Sequence, residues 1–149
     1  MTYRMVHVGL GGQGETWLRE AIPPNVDAGR IEVVAAVDTD PERHELAEEQ
    51  LDLPAERCYA DLDAALSEHE ADFCSVVTPP SAHEPVVDVA LDHGLDILSE
   101  KPIADTLEGS VRIARAVEAA GAKMGFTMTH RFDQDKTTFR RAVDAAGPV

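Results

Sequence analysis

The sequence predicts an α/β protein in which a parallel sheet of about six strands carries helices on both faces. Strand-like and helix-like segments alternate six times along the chain, which is the pattern of a doubly wound sheet. The strand-like runs are mostly continuously apolar, as expected of strands covered on both faces. The 149 residues suit one domain, and we assign residues 1–149 to it.

Six segments have the composition of strands. In chain order they are Tyr3–Val8, Ile31–Val37, a weak segment at 57–60, and segments at 72–78, 95–98 and 122–127. Joined by right-handed crossovers, they fit the strand order 3-2-1-4-5-6. Ligands of such sheets bind beyond the carboxyl ends of the strands, so the loops after strands 1, 2, 4, 5 and 6 are where we expect a site.

The first two helices are predicted from apolar periodicity and from their end signals. The first begins at Gly14 and ends at Pro23-Pro24, because proline interrupts a helix. Asp40 is the expected N-cap of the second, with Pro41 in the first helical position.

Four further helices follow the same signals. They are predicted at 61–67, 81–93, 105–120 and 132–146, the last one amphipathic. Ser81 and Glu84 fit a capping box, and Asp105 is the start signal of the next helix. Gly94 and Gly121 are the expected C-terminal stops.

The composition excludes several classes of function. Asp and Glu outnumber Lys and Arg by 28 to 13, so the formal net charge is −15. Such a chain repels nucleic-acid phosphates and anionic lipid, and no apolar run reaches the roughly 20 residues of a membrane span. We therefore expect no nucleic-acid or membrane partner and, since no apolar signal segment opens the sequence, a cytoplasmic protein. Cys58 and Cys74 lack metal-binding spacing, and no metal site is expected.

A glycine motif follows the first strand. Gly9-Leu10-Gly11-Gly12-Gln13-Gly14 matches G-x-G-x-x-G and opens a helix, which is the context that the motif requires. We expect Gly9 to permit a tight turn, Gly11 to let the backbone approach a pyrophosphate, and Gly14 to let helix and strand pack closely. The helix N-terminus adds N–H groups for the phosphates. The motif predicts a dinucleotide-binding (Rossmann) domain, with all of its residues except Leu10 as candidate cofactor contacts. The alternative is a glycine turn without a ligand.

Asp38 is the candidate that selects the cofactor. It ends the second strand, 24 residues after Gly14. A carboxylate there accepts hydrogen bonds from the adenosine ribose hydroxyls and repels a 2′-phosphate, which favours NAD over NADP. Arg43, one turn into the next helix, opposes this preference, since it could swing toward a 2′-phosphate. The alternative is that Asp38 is an N-cap or turn residue.

The loop after the fourth strand supplies three candidates. Thr78 and Pro79 lie where the nicotinamide half of the cofactor is expected, and His83 begins the helix that follows. We expect all three to contact the cofactor. For His83 a surface position in the first helical turn is equally consistent with the sequence.

Glu100-Lys101-Pro102 follows the fifth strand and faces the same crevice. Glu100 and Lys101 are therefore candidate cofactor contacts. A partly desolvated Lys101 would also take the proton from a substrate hydroxyl, which makes it the candidate catalytic residue. The alternative is a solvated surface lysine.

These motifs in this order resemble the glucose–fructose oxidoreductase and inositol dehydrogenase (Gfo/Idh/MocA) family. The resemblance rests on the glycine motif, Asp38, the stretch 78–83 and above all Glu100-Lys101-Pro102, and segment 125–132 is similar as well. It implies an NAD(P)-binding domain of an oxidoreductase that acts on sugars, cyclitols or related polyols. Lys101 is then the acid/base or orients the substrate hydroxyl.

The resemblance also implies parts that this chain does not contain. Family members carry a second, α+β domain that supplies most substrate contacts and usually the oligomer interface. We expect that domain beyond Val149, a full-length homo-oligomer, and no turnover by this fragment alone. A second hypothesis is a non-catalytic dinucleotide-binding module with a redox-sensing or regulatory role. Lys101 separates the two, because a mere binder has no need of it.

The acidity itself admits two interpretations. Three lysines stand against ten arginines, and carboxylates are dense in helical segments such as 42–49. This composition suits a halophilic protein, which must stay hydrated in concentrated salt; the alternative is a merely acidic protein.

Salt distinguishes these interpretations. Screening of the −15 charge should raise the melting temperature between low salt and molar KCl. Thermal melts across that range measure the effect, and a melting temperature that is flat or falls with salt favours the merely acidic protein.

Overall fold

The computed structural model describes residues 1–131 and 133–147, and its central feature is a six-stranded parallel sheet. The strands are β1 (Tyr3–Val8), β2 (Ile31–Val37), β3 (Cys58–Tyr59), β4 (Phe73–Val76), β5 (Asp96–Ser99) and β6 (Met124–Phe126). Their order is β3-β2-β1-β4-β5-β6, which confirms the predicted topology. A register shift between Met5 and Val6 on β1 is the one irregularity in its pairing with β2.

Helices cover both faces of the sheet. They are α1 (Gln13–Thr16), α2 (Pro23–Asp27), α3 (His44–Leu51), α4 (Leu62–Glu68), α5 (His83–Asp92), α6 (Leu107–Ala120) and α7 (Gln134–Ala146). A π-helical turn, Trp17–Ala21, continues α1, and 3₁₀ turns occur at Pro41–Arg43, Ala55–Arg57, Pro80–Ala82 and Thr129–Arg131. None of the helices in the described part of the chain is long and apolar enough to cross a bilayer.

Two buried layers follow from the alternation of side chains along β1. Val6 and Val8 point to the face covered by α4, α5 and α6, whose Val87 and Ile113 complete that layer. Met5 points to the opposite face, where α1 and α3 pack. Burial of each such side chain stabilises the fold by roughly 1.5–3 kcal/mol.

Helix ends account for most differences from the prediction. Pro23 and Pro24 begin α2 rather than ending a helix, since proline is tolerated in a first turn. Thr106, not Asp105, caps α6 through a bond from the Gly109 N–H. The prediction for Asp40 is confirmed, as its carboxylate accepts the N–H of Glu42 in the turn before α3.

The predicted capping box is wrong. Ser81 lies in the 3₁₀ turn before α5, and the residue that precedes α5, Ala82, offers no side-chain cap. Glu84 turns instead to Arg112 of α6 and pairs with its guanidinium, which lowers the pKa of the Glu84 carboxyl. Phe132, where the last helix was predicted to begin, lies outside the described residues.

The cysteines are free thiols, as expected from their spacing. Burial raises the pKa of the Cys58 thiol to about 11 and that of Cys74 further. No cluster of three or more His, Cys, Asp or Glu side chains suited to a metal occurs within residues 1–131 and 133–147.

A buried histidine lies in the centre of the sheet. The His7 ring is fully buried on β1 and stacks on Trp17, with ring centroids 6.0 Å apart. Its Nδ1 lies 2.7 Å from Ser75 Oγ, and Ser75 Oγ in turn donates to the Val6 carbonyl. His7 Nδ1 therefore carries the proton, and Nε2 has no hydrogen-bond partner among the described residues. Burial lowers the pKa of His7 to about 4, and the negative charge of Asp38 only partly opposes the shift.

This histidine makes the stability depend on pH. Below the ordinary histidine pKa of about 6.5, His7 binds a proton in the unfolded chain, whereas in the folded chain it does so only near pH 4. The free energy of unfolding is therefore unaffected by His7 above pH 6.5. Below that pH the titration of His7 lowers it, by up to about 3 kcal/mol near the folded-state pKa. Urea unfolding at several pH values should show this decline. In His7→Asn, which keeps a donor for Ser75 but does not titrate, the decline should be shallower; equal slopes in the two proteins would contradict it.

Candidate functional site

The candidate site is a cleft of about 710 Å³ beyond the carboxyl ends of β1, β2 and β4. The glycine loop, the segment after β2, the start of α4 and the start of α5 form its walls. β1 and β4 are neighbours from which the chain continues to opposite sides of the sheet, and doubly wound proteins bind ligands at this switch point. Of the predicted site residues, the cleft is lined by Gly9, Gly11, Gly12, Asp38, Thr78 and Pro79.

Glycine is required at two positions of the loop by contacts within the protein. Gly9 has φ +95°, and a Cβ there would lie 2.6 Å from the Val77 carbonyl oxygen. A Cβ on Gly14 would lie 1.9 Å from the Gly9 carbonyl oxygen. The expected turn at Gly9 and the close helix–strand packing at Gly14 are therefore both present. Gly14 and Gln13, at the start of α1, do not line the cleft.

The Gly11 backbone is approached by an arginine. A Cβ on Gly11 would lie 2.0 Å from Arg43 Nη1, so the guanidinium rests directly on this glycine. Nε of Arg43 lies 3.3 Å from Asp40 Oδ2. Sequence reasoning placed Arg43 near the ribose but had no signal for its contact with the loop, because the two segments meet only in the folded chain.

Asp38 lines the cleft and also joins two loops. Its Oδ2 accepts the N–H of Leu10 at 2.8 Å, and its Oδ1 accepts the N–H of Asp40 at 3.0 Å. Asp40, not Asp38, is the N-cap. Each carboxylate oxygen has a second lone pair, so the group can accept further bonds from a ligand in the cleft.

His83 is neither a surface residue nor a wall of the cleft. Its side chain is fully buried, with Nε2 2.9 Å from the Thr78 carbonyl and Nδ1 3.1 Å from the Ile103 carbonyl. The surface interpretation of His83 is therefore wrong, and a contact of His83 with the cofactor stays a prediction. It holds the loops after β4 and β5 together.

Glu100 does not line the cleft either. It is only 7 % exposed, and its Oε1 accepts the indole N–H of Trp17 at 3.1 Å. Its Oε2 accepts the N–H of Lys101 at 3.2 Å. Glu100 thus joins the indole of Trp17 to the loop after β5, and its contact with the cofactor stays a prediction. The signal that was missed is Trp17, because a buried indole N–H requires an acceptor.

Lys101 is exposed. This domain by itself therefore does not provide the partial desolvation of Lys101 that its sequence position predicts. The Lys101-Pro102 peptide bond is cis. Nζ makes no ion pair or hydrogen bond with the residues that the structure describes, and the residue does not line the cleft.

Comparison with known protein families identifies the family to which the chain belongs. The family model for the Gfo/Idh/MocA group, described as an oxidoreductase family with an NAD-binding Rossmann fold, matches residues 3–128. The chain belongs to this family. The Gfo/Idh/MocA chain is thus an NAD-binding Rossmann domain, and the family favours the oxidoreductase hypothesis over a non-catalytic module.

Individual relatives agree with the family assignment. The chain is 51 % identical over its whole length to the uncharacterized protein y4oX of Sinorhizobium fredii. It is 33 % identical, over 97 % of its length, to an inositol 2-dehydrogenase/D-chiro-inositol 3-dehydrogenase of Lacticaseibacillus casei. A solved structure of the WlbA dehydrogenase from Bordetella pertussis, in complex with NADH and UDP-GlcNAcA, covers 98 % of the chain with a TM-score of 0.86 at 25 % identity.

The chain spans about two fifths of the length of these relatives. It covers 42 % of the Sinorhizobium protein, 41 % of the Lacticaseibacillus enzyme and 43 % of the Bordetella structure.

Proposed function

We propose that this chain is the cofactor-binding part of an NAD-dependent oxidoreductase that transfers hydride between the nicotinamide and a carbon of a cyclitol, sugar or related polyol. The observation that carries the proposal is the cleft at the switch point, where the glycine loop and the Asp38 carboxylate face one space. When bound, NAD supplies the redox chemistry, and the protein orients it. The inositol dehydrogenase and the UDP-sugar complex among the relatives support the substrate class.

The proposed roles follow from position. The glycine loop at Gly9, Gly11 and Gly12 takes the diphosphate, and Asp38 accepts the ribose hydroxyls, which selects NAD over NADP. Thr78 and Pro79 border the space toward the nicotinamide.

Lys101 is the proposed acid/base or substrate-orienting group. Its loop adjoins the cleft, because Glu100 N–H bonds to the Val76 carbonyl at the end of β4. His83 bonds to Thr78 and Ile103 and so ties the same two loops together. An exposed amino group here is available to the substrate hydroxyl.

The rest of the enzyme is part of the proposal. We place the substrate contacts and the oligomer interface of the full-length protein in an α+β domain that follows this one. The coverage of two fifths supports this, as does α7, which buries none of its residues and exposes Phe139 and Val143. We also propose that the full-length protein is cytoplasmic, homo-oligomeric and halophilic and has no nucleic-acid or membrane partner. The acidic composition of the chain is consistent with these proposals.

Cofactor choice is tested on the chain itself by fluorescence titration with NADH and NADPH. Wild type should bind NADH more tightly. Asp38→Asn, which keeps one acceptor oxygen but loses the charge, should weaken NADH roughly 10- to 100-fold and shift the preference toward NADPH. Asp61→Asn removes another carboxylate from the wall of the cleft and should affect both ligands alike. Tighter binding of NADPH than NADH by wild type would contradict the role of Asp38.

Catalysis is tested in the full-length protein with a panel of cyclitols and sugars. Lys101→Met should lower kcat roughly 10²- to 10⁴-fold through loss of acid/base help. NADH affinity should stay within a few-fold, because the expected diphosphate and ribose contacts lie elsewhere. Lys123→Met, at the amino-end edge of the sheet, is the matched control. A change in KM alone makes Lys101 a substrate clamp, and unchanged kcat and KM would favour the non-catalytic module.

A further inference from the structure

The carboxylate of Glu100 is buried beside the loop that carries Lys101. Glu100 is 7 % exposed, and its carboxylate makes no ion pair within the described part of the chain. Two N–H groups donate to it instead: the indole of Trp17 at 3.1 Å to Oε1, and the backbone of Lys101 at 3.2 Å to Oε2. A buried charge depends on such donors, because it has lost its water. The two donors therefore determine how the Glu100 carboxylate is oriented.

The indole of Trp17 is itself fixed by its neighbours. It is 8 % exposed and stacks on the ring of His7 with an interplanar angle of 15°. His7 lies on β1, and its Nδ1 is 2.7 Å from Ser75 Oγ on β4. The indole N–H is therefore directed at Glu100 from the buried centre of the sheet and not from a loop.

The backbone on both sides of Lys101 has anchors of its own. Before the lysine, the N–H of Glu100 donates to the Val76 carbonyl at 2.9 Å. After it, the Ile103 carbonyl lies 3.1 Å from His83 Nδ1. The N–H of Lys101 has the Glu100 carboxylate as its one hydrogen-bond partner among the described residues. The direction in which the lysine side chain leaves the loop thus depends on that carboxylate.

We propose that Trp17 is a positioning residue for Lys101, because its indole N–H holds the Glu100 carboxylate that in turn binds the Lys101 N–H. A group that transfers a proton or orients a hydroxyl works only within a narrow range of positions relative to the substrate. Lys101 is exposed, so its backbone has to supply much of that position. The role rests on the proposed function, since it requires Lys101 to act on the substrate.

Two substitutions of Trp17 separate its N–H from its bulk. Trp17→Phe keeps an aromatic ring without the donor. In Trp17→His the imidazole can take the place of the five-membered indole ring, so that Nε2 donates where the indole Nε1 did. Both rings are smaller than indole, so a loss that is due to packing alone should be at least as large for Trp17→His. Tyr59→Phe is the matched control, because it removes another aromatic donor to a glutamate, Glu68, at the β3 edge of the sheet.

Hydrogen exchange of the 149-residue chain, measured by NMR, tests the positioning directly. In wild type the Lys101 amide and the indole N–H of the single tryptophan should both be protected. Trp17→Phe should speed exchange of the Lys101 amide about 10-fold, and Trp17→His and Tyr59→Phe less than about three-fold. The Gly109 amide, which Thr106 caps, shows whether a variant is loosened as a whole. An unprotected Lys101 amide in wild type would overturn the role even if Trp17→Phe does not fold.

Kinetics of the full-length protein test the consequence for catalysis, with NAD and the cyclitol or sugar that wild type turns over fastest. Trp17→Phe should lower kcat about 10-fold, and Trp17→His and Tyr59→Phe less than about three-fold. KM and NADH affinity should stay within about two-fold. In a Lys101→Met background Trp17→Phe should lower kcat no further, because a residue that acts through Lys101 has nothing left to position.

The pattern of losses decides between positioning and packing. Wild-type kcat in Trp17→Phe, equal losses in Trp17→Phe and Trp17→His, lower activity that comes from weaker NADH binding, or a further loss in the Lys101→Met background each overturns the role of Trp17. If wild type turns over no cyclitol or sugar, or Lys101→Met leaves kcat unchanged, the proposed function fails instead. The exchange rates then still show whether Trp17 fixes the Lys101 backbone.

Discussion

The close approach of Gly14 to the carbonyl oxygen of Gly9 determines where the first helical segment lies and, through it, the geometry of the site. A Cβ on Gly14 would lie 1.9 Å from that oxygen, so any side chain would force the helix away from β1. At this distance the π-helical turn that continues α1 places Trp17 over His7 and its indole N–H on Glu100. The absence of a side chain at Gly14 therefore allows the helix to lie close to β1. From this position Trp17 covers the polar centre of the sheet and connects the helix to the loop after β5.

Hydrogen bonds between loops hold the carboxyl-end edge of the sheet in one arrangement. Asp38 joins the loop after β2 to Leu10 in the loop after β1. His83 joins the loops after β4 and β5, and Trp17 joins α1 to Glu100. These groups are largely buried, so losing one partner leaves the other unsatisfied, at a cost of roughly 1–3 kcal/mol. A site arranged before the ligand arrives has less conformational freedom to lose on binding.

Local signals were sufficient for the strands, for most helices and for the part of the cleft wall that the glycine loop, Asp38, Thr78 and Pro79 form. Short apolar segments, among them the β-branched run Ile31–Val37, predicted all six strands, and the bounds of Tyr3–Val8 and Ile31–Val37 were correct. The spacing of the glycines and the carboxylate of Asp38 predicted the site, because a tight turn and a strand end are defined by a few neighbouring residues. Where adjacent polar residues offer similar caps, the sequence does not choose between them, and Thr106 was missed in favour of Asp105.

The directions of the functional side chains were decided only by tertiary structure. The buried His83 ring lies within hydrogen-bond distance of a carbonyl 20 residues away, and Glu100 turns inward because an indole 83 residues away donates to it. Arg43 reaches Gly11 across the ends of two strands. Sequence periodicity reports which face of an element is buried, and that property, together with glycine and capping signals, determined the fold and the location of the cleft. Which polar atoms meet depends on contacts between distant segments, and these exist only once the sheet has formed.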